Sequence, residues 1–343
     1  MNSDKDIVIT SAFRTAIGSF QGSLKDHKAT ELGTAVVKKC MEHSNLNGSE
    51  VDTVILGQVL QTGCGQNPAR QAAINSGIDK DKTATTINQV CGSGLAAVTL
   101  GFNSLKLNDT NIVIAGGQES MTNSPHYLNY RMEKNLSEEK LKDSMLIDGL
   151  IDAYDDYHMG VTAENIAEKY QITKNDQDNF ALNSQKKAIK AISENKFKEE
   201  IVPIKLKDQK FFDKDEYPRA DTNLEKLSNL KTVFKKNGTV TAGNASGLND
   251  GAAAVTLMNY KTSKDKGLKP IAKIVSWSQS GVDPKLMGTG PIPASKLALK
   301  KAGWNIKDLD LVESNEAFAA QSIAVIKELG LKEDLSLIHI WRC

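Results

Sequence analysis

Residues 83–115 read Thr83-Ala-Thr-Thr-Ile-Asn-Gln-Val-Cys91-Gly-Ser-Gly-Leu-Ala-Ala-Val-Thr-Leu-Gly-Phe-Asn-Ser-Leu-Lys-Leu-Asn-Asp-Thr-Asn-Ile-Val-Ile-Ala115, and this stretch decides the fold class. Its composition predicts a strand over Thr83–Val90, a helix over Gly94–Leu107 and a second strand over Asn111–Ala115. A strand–helix–strand unit normally makes a parallel, right-handed crossover. The stretch therefore predicts an α/β fold.

Segments on either side repeat this alternation of strand and helix. Ile7–Ile9 and Val54–Leu56 predict strands, whereas Ala29–Met41 and Pro68–Asn75 predict helices. Further along the chain, Ala252–Met258 is an apolar run suited to a strand that is covered on both faces. Together these segments predict a layered α/β core.

The stretch from about residue 117 to residue 243 has a different character, because charged and amide side chains dominate it. It predicts helices near Val161–Tyr170 and Gln177–Glu194 and almost no buried strand. We interpret it as an inserted loop domain over the α/β core. Loop-rich segments of this kind often carry substrate contacts.

A weak internal repeat links the two ends of the chain. Val51–Gln58 leads into the predicted helix at Pro68, and Leu309–Glu316 leads into a predicted helix over Ala317–Leu329. The pattern is typical of two similar α/β halves. The same order of elements also recurs by chance in α/β proteins, so the repeat alone leaves this open.

Charge and composition exclude several classes of protein. The chain has 43 Lys and Arg against 42 Asp and Glu, a formal net charge of +1, whereas nucleic-acid binding requires a basic excess or patch. The basic stretches Lys231–Lys236 and Lys261–Lys269 are short and are interpreted as solvated surface. No apolar run reaches the roughly 18 residues of a membrane-spanning helix, and the start resembles no targeting segment. These features predict a cytoplasmic protein.

The four cysteines and five histidines show neither a CxxC pair nor the spacing of metal ligands. We therefore predict free thiols and no metal ion.

Cys91 is the main candidate for chemistry, because it lies between the predicted strand and the predicted helix. At a helix N-terminus, free backbone amides and the helix dipole favour a thiolate and are suited to hold an oxyanion. Gly92 and Gly94 lack a Cβ, which lets a substrate approach the backbone closely. The alternative is a small buried residue in a tight turn, and the local sequence does not separate the two. The apolar face of the helix is predicted at Leu95, Val98, Phe102 and Leu105.

The segment Asn88-Gln-Val-Cys91-Gly-Ser-Gly94 resembles the nucleophile motif of thiolases. Further segments resemble that family in the same order along the chain, from about residue 5 to residue 334. The resemblance implies a thiolase fold, with two similar α/β halves in a layered αβαβα arrangement and an inserted loop domain. These segments are Gly116–Met121, His158–Asn165, Gly238–Gly251, Met287–Pro293 and Asn315–Ala319.

Among thiolases the motifs are most similar to those of acetyl-CoA acetyltransferases. The resemblance implies that Cys91 takes the acetyl group of one acetyl-CoA and passes it to the α-carbon of a second. The products would be acetoacetyl-CoA and CoA, and the reverse reaction is thiolysis. A covalent intermediate splits one difficult condensation into two easier steps. No metal or redox cofactor is implied.

Other site residues are carried over by their position in the motifs. Asn315 would hold the substrate thioester oxygen through a water molecule; the alternative is a helix-capping role just before Glu316. His158 and Ser246 would contact the pantetheine arm of CoA. Arg219 would lie near the CoA nucleotide, where a cation suits phosphate. Ordinary core packing is the alternative for the residues expected to line the pocket, which are Leu150, Met159, Met287, Ala317 and Phe318.

The chain departs from the family after Asp334. Thiolases of this type carry a Gly-His-Pro motif, whose histidine activates the nucleophile, and a Cys-Gly-Gly-Gly-type loop, whose cysteine moves the α-proton. Neither occurs in the 343 residues. His339 and Cys343 lack the flanking glycines and are not interpreted as substitutes. The sequence thus predicts a C-terminally truncated thiolase that acylates Cys91 slowly and fails in condensation.

The resemblance also implies domain boundaries and an assembly. Residues 1–268 would form the N-terminal domain with the inserted loop domain at about 117–243. Residues 269–334 would form a partial C-terminal domain, and residues 335–343 a non-native tail. The segment Gly117–Arg131 resembles the entry to the family's tetramerisation loop and implies a homotetramer, a dimer of dimers, at full length.

Two other functions stay open from the sequence. One is a broader 3-ketoacyl-CoA thiolase that accepts longer acyl chains. The other is a non-catalytic acyl-CoA-binding relative that kept the fold.

Overall fold

The computed structural model describes residues 3–132 and 137–332. The strands, numbered β1 to β12, are Ile7–Thr15, Gly18–Ser19, Thr53–Gly57, Thr83–Ile87, Ile112–Ser120, His126–Tyr127, Lys142–Asp143, Ile201–Val202, Ile204–Lys205, Phe211–Phe212, Asn249–Asn259 and Ala272–Lys273. The helices, numbered α1 to α9, are Ala29–His43, Pro68–Ser76, Ser93–Lys106, Met159–Lys169, Lys174–Ser193, Leu224–Ser228, Tyr260–Asp265, Pro291–Ala302 and Ala319–Leu329.

The main sheet has the strand order β12-β1-β11-β5-β3-β4, with β2 beside β11 and β8 beside β1. Strands β5, β3 and β4 run parallel, whereas β11 is antiparallel to both β1 and β5. The predicted crossover from β4 through α3 to β5 is confirmed as parallel. It passes over β3, which pairs with both strands.

Both faces of this sheet are covered by helices. Successive side chains of a strand point to opposite faces, so one strand contributes to the apolar cluster on each side. On β5, Ile112 and Ile114 belong to an apolar cluster with residues of α1 and α2, whereas Val113 and Ala115 belong to a cluster with α3. Strand β11 contributes to both clusters, as predicted for the apolar run 252–258. The fold class predicted from residues 83–115 is therefore confirmed.

The chain divides into two compact units. The sheet unit comprises Met1–Gly149, Glu199–Glu216 and Asn249–Ile274, and it contains all of the strands given above. The helical unit comprises Leu150–Lys198, Tyr217–Leu248 and Val275–Cys343. The predicted domain boundary at residue 268 stays a prediction.

Several elements differ from their predicted bounds. The strand predicted over Thr83–Val90 ends at Ile87, because the chain turns sharply before α3. Residues 309–316 form no strand, although the internal repeat pairs them with β3. Within residues 309–316, Val312 takes part in an isolated β-bridge, which does not extend into a strand. The helix that follows begins at Ala319 rather than Ala317.

Within residues 3–132 and 137–332, the longest helices are too polar or too short to span a lipid bilayer.

Candidate active site

Three glycines let the start of α3 lie directly on the sheet. A Cβ at Gly57 would lie 2.5 Å from the Ser93 Cβ and 2.7 Å from the Gly94 amide nitrogen. A Cβ at Gly117 would lie 3.4 Å from the Gly94 Cα. Since Gly57 and Gly117 are paired across β3 and β5, they form one surface against which the N-terminus of α3 packs.

The Cys91 loop, defined as residues 88–93, is fixed by its own polar side chains. The Asn88 Oδ1 accepts a hydrogen bond from the Val90 amide at 2.8 Å. The Ser93 hydroxyl accepts from the Gln89 amide at 2.8 Å and donates to the Val90 carbonyl at 2.6 Å. Val90 has a φ of 47°, a left-handed conformation that costs a β-branched residue about 1–3 kcal/mol. Strain of this kind often marks functional loops.

The position of Cys91 matches the expectation, but the details of the neighbouring helix do not. Helix α3 begins at Ser93 with Gly92 as its N-cap, so Cys91 immediately precedes the cap. The amides of Gly92 and Ser93 already donate to the carbonyls of Gln89 and Val90, each at 3.0 Å. These two amides are therefore engaged within the loop, and the predicted oxyanion role of the free amides at the helix N-terminus stays a prediction.

The predicted apolar face of α3 is also wrong at one end. Leu95 is 73% exposed, whereas Leu105 is 1% exposed. Small residues, including Ala96, Ala97 and Gly101, form the buried face near the start of the helix. The reason is the close approach to the sheet: a Cβ at Gly101 would lie 3.0 Å from side-chain atoms of both Val113 and Leu257.

The described cysteines occupy three different environments, and no disulfide joins them. Cys91 is exposed, and Cys64 is half-buried. Cys40 is fully buried, and burial raises the pKa of its thiol to about 11. Cys91 is therefore the most exposed of the three described cysteines. Cys343 and His339 lie outside the described residues.

A second cluster, the His158 pocket, lies in the helical unit. It is built around His158, which is the N-cap of α4: its Nδ1 accepts a hydrogen bond from the Gly160 amide at 3.0 Å. Burial lowers the pKa of His158, so the imidazole is kept neutral. Its ring stacks on Phe234, with centroids 4.6 Å apart and an interplanar angle of 19°. We define the pocket as His158, Met159, Phe234, Ser246, Ala317 and Phe318.

Backbone pairing brings the remaining members of the pocket together. The Ser246 amide donates to the Ala317 carbonyl at 2.9 Å, and Ala245 forms an isolated bridge with Phe318. The Phe318 ring meets Phe234 edge-on, with centroids 6.3 Å apart. Met159, Ala317 and Phe318 thus join one apolar cluster with Phe234. The predicted residues His158, Met159, Ser246, Ala317 and Phe318 are adjacent.

Asn315 has no helix-capping role, which removes that alternative. Helix α9 has Phe318 as its N-cap, and Asn315 lies exposed three residues earlier. The next residue, Glu316, is 1% exposed and accepts a hydrogen bond from the Ser184 hydroxyl at 2.7 Å. Glu316 therefore anchors the segment in the helical unit, next to the exposed Asn315.

The other predicted residues lie elsewhere in the helical unit. Arg219 is exposed, and its backbone amide donates to the Gln185 Oε1 at 2.8 Å. Leu150 ends a π-helical turn, Leu146–Leu150, and is half-buried. Met287 is half-buried in a 3₁₀ turn, Pro284–Thr289. The contacts given above bring none of these three into the His158 pocket.

A profile of the family "Thiolase, N-terminal domain" matches residues 7–261, and a profile of "Thiolase, C-terminal domain" matches residues 268–340. The chain belongs to the thiolase family.

Relatives of this thiolase agree in name. An acetyl-CoA acetyltransferase of Pseudomonas aeruginosa is 53% identical over 331 residues, which cover 95% of this chain and 84% of the relative. One of Rhizobium meliloti is 51% identical over 341 residues, covering 98% and 86%. The crystal structure of the Bacillus anthracis acetyl-CoA acetyltransferase matches with a TM-score of 0.94 at 44% identity, over 96% of this chain and 85% of that one. The resemblance found in the sequence and the thiolase fold it implied are confirmed.

Two functional candidates in this thiolase were not predicted from the sequence. Phe234 lies within the lysine-rich stretch 231–236, which was interpreted as solvated surface, yet its ring stacks on His158. Glu119 lies within the thiolase-like segment 116–121 but was given no role. Its carboxylate accepts hydrogen bonds from the amides of Val59 and Leu60. The one local feature that distinguishes Phe234 is an aromatic side chain within a lysine-rich stretch.

Among the described residues, no three His, Cys, Asp or Glu side chains are grouped so that they could hold a metal ion.

Proposed function

We propose that this thiolase is an acetyl-CoA acetyltransferase, which condenses two acetyl-CoA molecules reversibly to acetoacetyl-CoA and CoA. One observation carries the proposal: Cys91 is exposed in a strained loop directly before α3. It is supported by the relatives, since a protein of that name is 53% identical over 331 residues.

The proposed reaction has two half-reactions. In the first, the Cys91 sulfur attacks the thioester carbon of acetyl-CoA, the bond between that carbon and the CoA sulfur breaks, and CoA leaves and takes up a proton. In the second, another acetyl-CoA loses an α-proton, and its α-carbon attacks the acetyl group on Cys91. The Cys91 thiolate then leaves, which regenerates the enzyme. CoA thioesters are substrates, and we propose that no metal or other cofactor takes part.

The His158 pocket supports a role in binding the pantetheine arm. A neutral imidazole and the Ser246 hydroxyl suit hydrogen bonds to uncharged amides, and the Phe234 and Phe318 rings suit contact with an aliphatic chain. Arg219 is exposed and cationic, as a contact to the CoA phosphates requires. Asn315 is proposed to hold the thioester oxygen through water. Leu150 and Met287, with Met159, Ala317 and Phe318, are proposed to line the acyl pocket.

The first half-reaction is tested by incubating the full chain with acetyl-CoA and measuring its intact mass and peptide masses. We expect one added acetyl group on Cys91. Cys91→Ala should abolish it, whereas Cys40→Ala, which removes a buried thiol of the same sheet unit, should not. Absence of acetyl-Cys91 from the folded chain would contradict the proposal and favour a non-catalytic acyl-CoA-binding protein.

The second half-reaction needs its own measurement, because none of the five histidines lies in a Gly-His-Pro motif. Formation of acetoacetyl-CoA is followed separately from acylation of Cys91. Acylation without condensation would match the expectation from the sequence. Normal turnover would show that other residues move the α-proton.

The broader 3-ketoacyl-CoA thiolase is the second candidate within the same chemistry. The dependence of acylation on acyl chain length distinguishes the two, because Met287 is proposed to close the acyl pocket. Acylation of Cys91 should fall steeply from acetyl-CoA to longer acyl-CoA thioesters. Equal acylation by a long-chain thioester would favour the broader enzyme.

We also propose a homotetramer, a dimer of dimers, supported by the resemblance of Gly117–Arg131 to the family's tetramerisation segment. Light scattering on the purified chain tests it. A cytoplasmic location is proposed as well, since a reducing compartment suits an exposed catalytic thiol, and cell fractionation tests it. The boundaries at residues 117, 243 and 268 are proposed as domain limits, which limited proteolysis tests.

A further inference from the structure

Glu119 lies on the face of β5 that carries the start of α3. Side chains two residues apart on a strand share a face, so Glu119 follows Gly117 on the same side. A Cβ at Gly117 would meet the Gly94 Cα at 3.4 Å. Glu119 therefore continues this face beyond the point where α3 begins.

The Glu119 carboxylate holds the turn that follows β3. Its Oε2 accepts a hydrogen bond from the Val59 amide at 2.8 Å, and its Oε1 accepts from the Leu60 amide at 3.3 Å. The Gln58 side chain closes the same turn, because its Nε2 donates to the Leu60 carbonyl at 2.9 Å. Residues 58–60 are thus held from both sides.

Residues 58–60 also form hydrogen bonds with the segment that leads into the Cys91 loop. The Gln58 amide donates to the Ile87 carbonyl at 3.0 Å. A second, longer contact runs from the Asn88 Nδ2 to the Val59 carbonyl at 3.5 Å. The Asn88 Oδ1 also accepts a hydrogen bond from the backbone amide of Val90, the residue in the left-handed conformation. A continuous path of hydrogen bonds therefore joins Glu119 to the residue before Cys91.

An ionised carboxylate at position 119 lowers the stability of the fold, because burial removes it from water. Burial, and then the charge of Asp250, raises the pKa of Glu119 to about 7, although hydrogen bonds from the backbone amides of Val59, Leu60 and Ser120 lower it. Among the described residues, Asp250 and Cys64 are titratable groups that interact with Glu119; burial and then Glu119 raise the pKa of Cys64. A buried acid that is kept at such a cost is more typical of a functional site than of a packing position.

We infer that Glu119 is a positioning residue for the nucleophile: it fixes residues 58–60, and through Ile87 and Asn88 it sets the backbone at Val90 that presents Cys91. The inference rests on the proposed function for its effect on acetyl transfer. Its effect on the reactivity of the Cys91 thiol does not depend on that function.

The bonds that Glu119 accepts depend on pH. When Glu119 is protonated, one of its oxygens becomes a donor, and its bonds to the amides of Val59 and Leu60 weaken. The ionised form predominates above its pKa of about 7. Reactivity of Cys91 should therefore rise near pH 7 in a step that is separate from ionisation of the thiol itself.

The test measures the rate at which iodoacetamide alkylates Cys91 across neutral pH, with peptide mass spectrometry to separate the cysteines. Glu119→Gln keeps the shape of the side chain and removes the ionisation. Asp52→Asn is the matched control, because Asp52 also accepts two backbone amides, Asn111 at 2.6 Å and Ile112 at 3.1 Å, at the opposite end of β5. Asn88→Ala cuts the path at an exposed position.

We expect Glu119→Gln and Asn88→Ala to lower the alkylation rate at alkaline pH roughly tenfold and to remove the step near pH 7. Asp52→Asn should keep the wild-type alkylation rate and the step near pH 7. With acetyl-CoA, the maximal acylation rate should fall in the two variants while the half-saturating concentration stays unchanged, since positioning of the thiol does not bind CoA.

A wild-type pH profile of alkylation in folded Glu119→Gln would overturn the inference. Should that variant fail to fold, as judged by its melting curve, an unchanged profile in Asn88→Ala overturns it instead. Failure of the proposed function has a different signature: the wild-type chain would show the alkylation step near pH 7 but no acetyl-Cys91.

Discussion

The Cys91 loop and the His158 pocket are held by different kinds of interaction. Hydrogen bonds that the Asn88 and Ser93 side chains accept from backbone amides fix the Cys91 loop, and close contact at glycines places the start of α3 on the sheet. The His158 pocket is held by stacked and edge-on aromatic rings and an apolar cluster. Each lies in its own compact unit.

The difference predicts different sensitivities. A loop fixed by backbone geometry on a close-packed surface has no room for added atoms, so it should respond most to small-to-large changes. A pocket fixed by side-chain volume should respond most to the loss of a ring. The following variants test this contrast, from the largest expected effect to the smallest.

Gly57→Ala should have the largest effect. Its Cβ would lie 2.5 Å from atoms of Ser93 and 2.7 Å from the Gly94 amide nitrogen, so the start of α3 would have to move. We expect a loss of more than about 3 kcal/mol in the free energy of unfolding, with loss of Cys91 alkylation in any folded fraction. Urea unfolding measures the first and peptide mass spectrometry the second.

Gly281→Ala is the control for that variant, because a Cβ there would meet nothing within 4 Å. It should leave the free energy of unfolding unchanged. If both alanine variants are equally stable, the close contact between α3 and the sheet does not hold the loop.

The stability of the sheet unit should depend on the ionisation of Glu119. Its pKa rises from 4.5 to about 7 on folding, so the native state binds the extra proton. The corresponding stabilisation, about 3 kcal/mol, is present below pH 4.5 and is lost as the pH rises through 7. Urea unfolding between pH 5 and 8 should show wild type weakening relative to Glu119→Gln.

Asp52→Asn is again the comparison for Glu119→Gln. It should not remove the decline in stability that wild type shows over this range. Parallel curves for wild type and Glu119→Gln would show that Glu119 does not titrate near neutral pH.

Phe234→Ala should weaken the His158 pocket. The Phe234 ring stacks on His158 and packs over Gly160, and it is half-buried. We expect a loss of about 2 kcal/mol in the free energy of unfolding, less than for a fully buried ring, and a raised half-saturating concentration of acetyl-CoA. Alkylation of Cys91 by iodoacetamide should stay at the wild-type rate.

Phe211→Ala serves as its control, because Phe211 is 63% exposed and lies in the sheet unit. It should change neither stability nor saturation appreciably. A drop in Cys91 alkylation in Phe234→Ala would break the contrast between the two regions.

Arg219→Ala should have the smallest effect. An exposed charge in contact with phosphate contributes on the order of 0.5 kcal/mol, about a twofold rise in the half-saturating concentration of acetyl-CoA. The rise should shrink at high salt, since salt screens exposed charges. Arg219→Lys keeps the charge and should restore most of the binding; an equal loss in both variants would indicate a contact that only the guanidinium makes.

Local sequence determined much of the fold. Helices α1 and α2, the crossover from β4 to β5 and the buried strand β11 follow from runs of apolar residues whose spacing needs no distant partner. Local periodicity also predicted that a helix begins just after Cys91. The identity of Cys91 as a candidate nucleophile, and the membership of the His158 pocket, came from motifs shared with thiolases.

The tertiary structure decided what depends on partners far away in the chain. Periodicity marked Leu95 as apolar, but close packing of α3 on Gly57 and Gly117 left it 73% exposed. A lysine-rich stretch concealed Phe234, whose ring is placed by His158, 76 positions earlier in the numbering.

Glu119 shows the physical reason most clearly. The sequence determined that an acid follows two glycines on β5. Its pKa, its bonds to Val59 and Leu60 and its path to Cys91 arise only when residues 57–60, 87–93 and 117–119 are folded against each other. Burial and hydrogen bonds between distant segments are properties of the assembled fold, and no local pattern of residues specifies them.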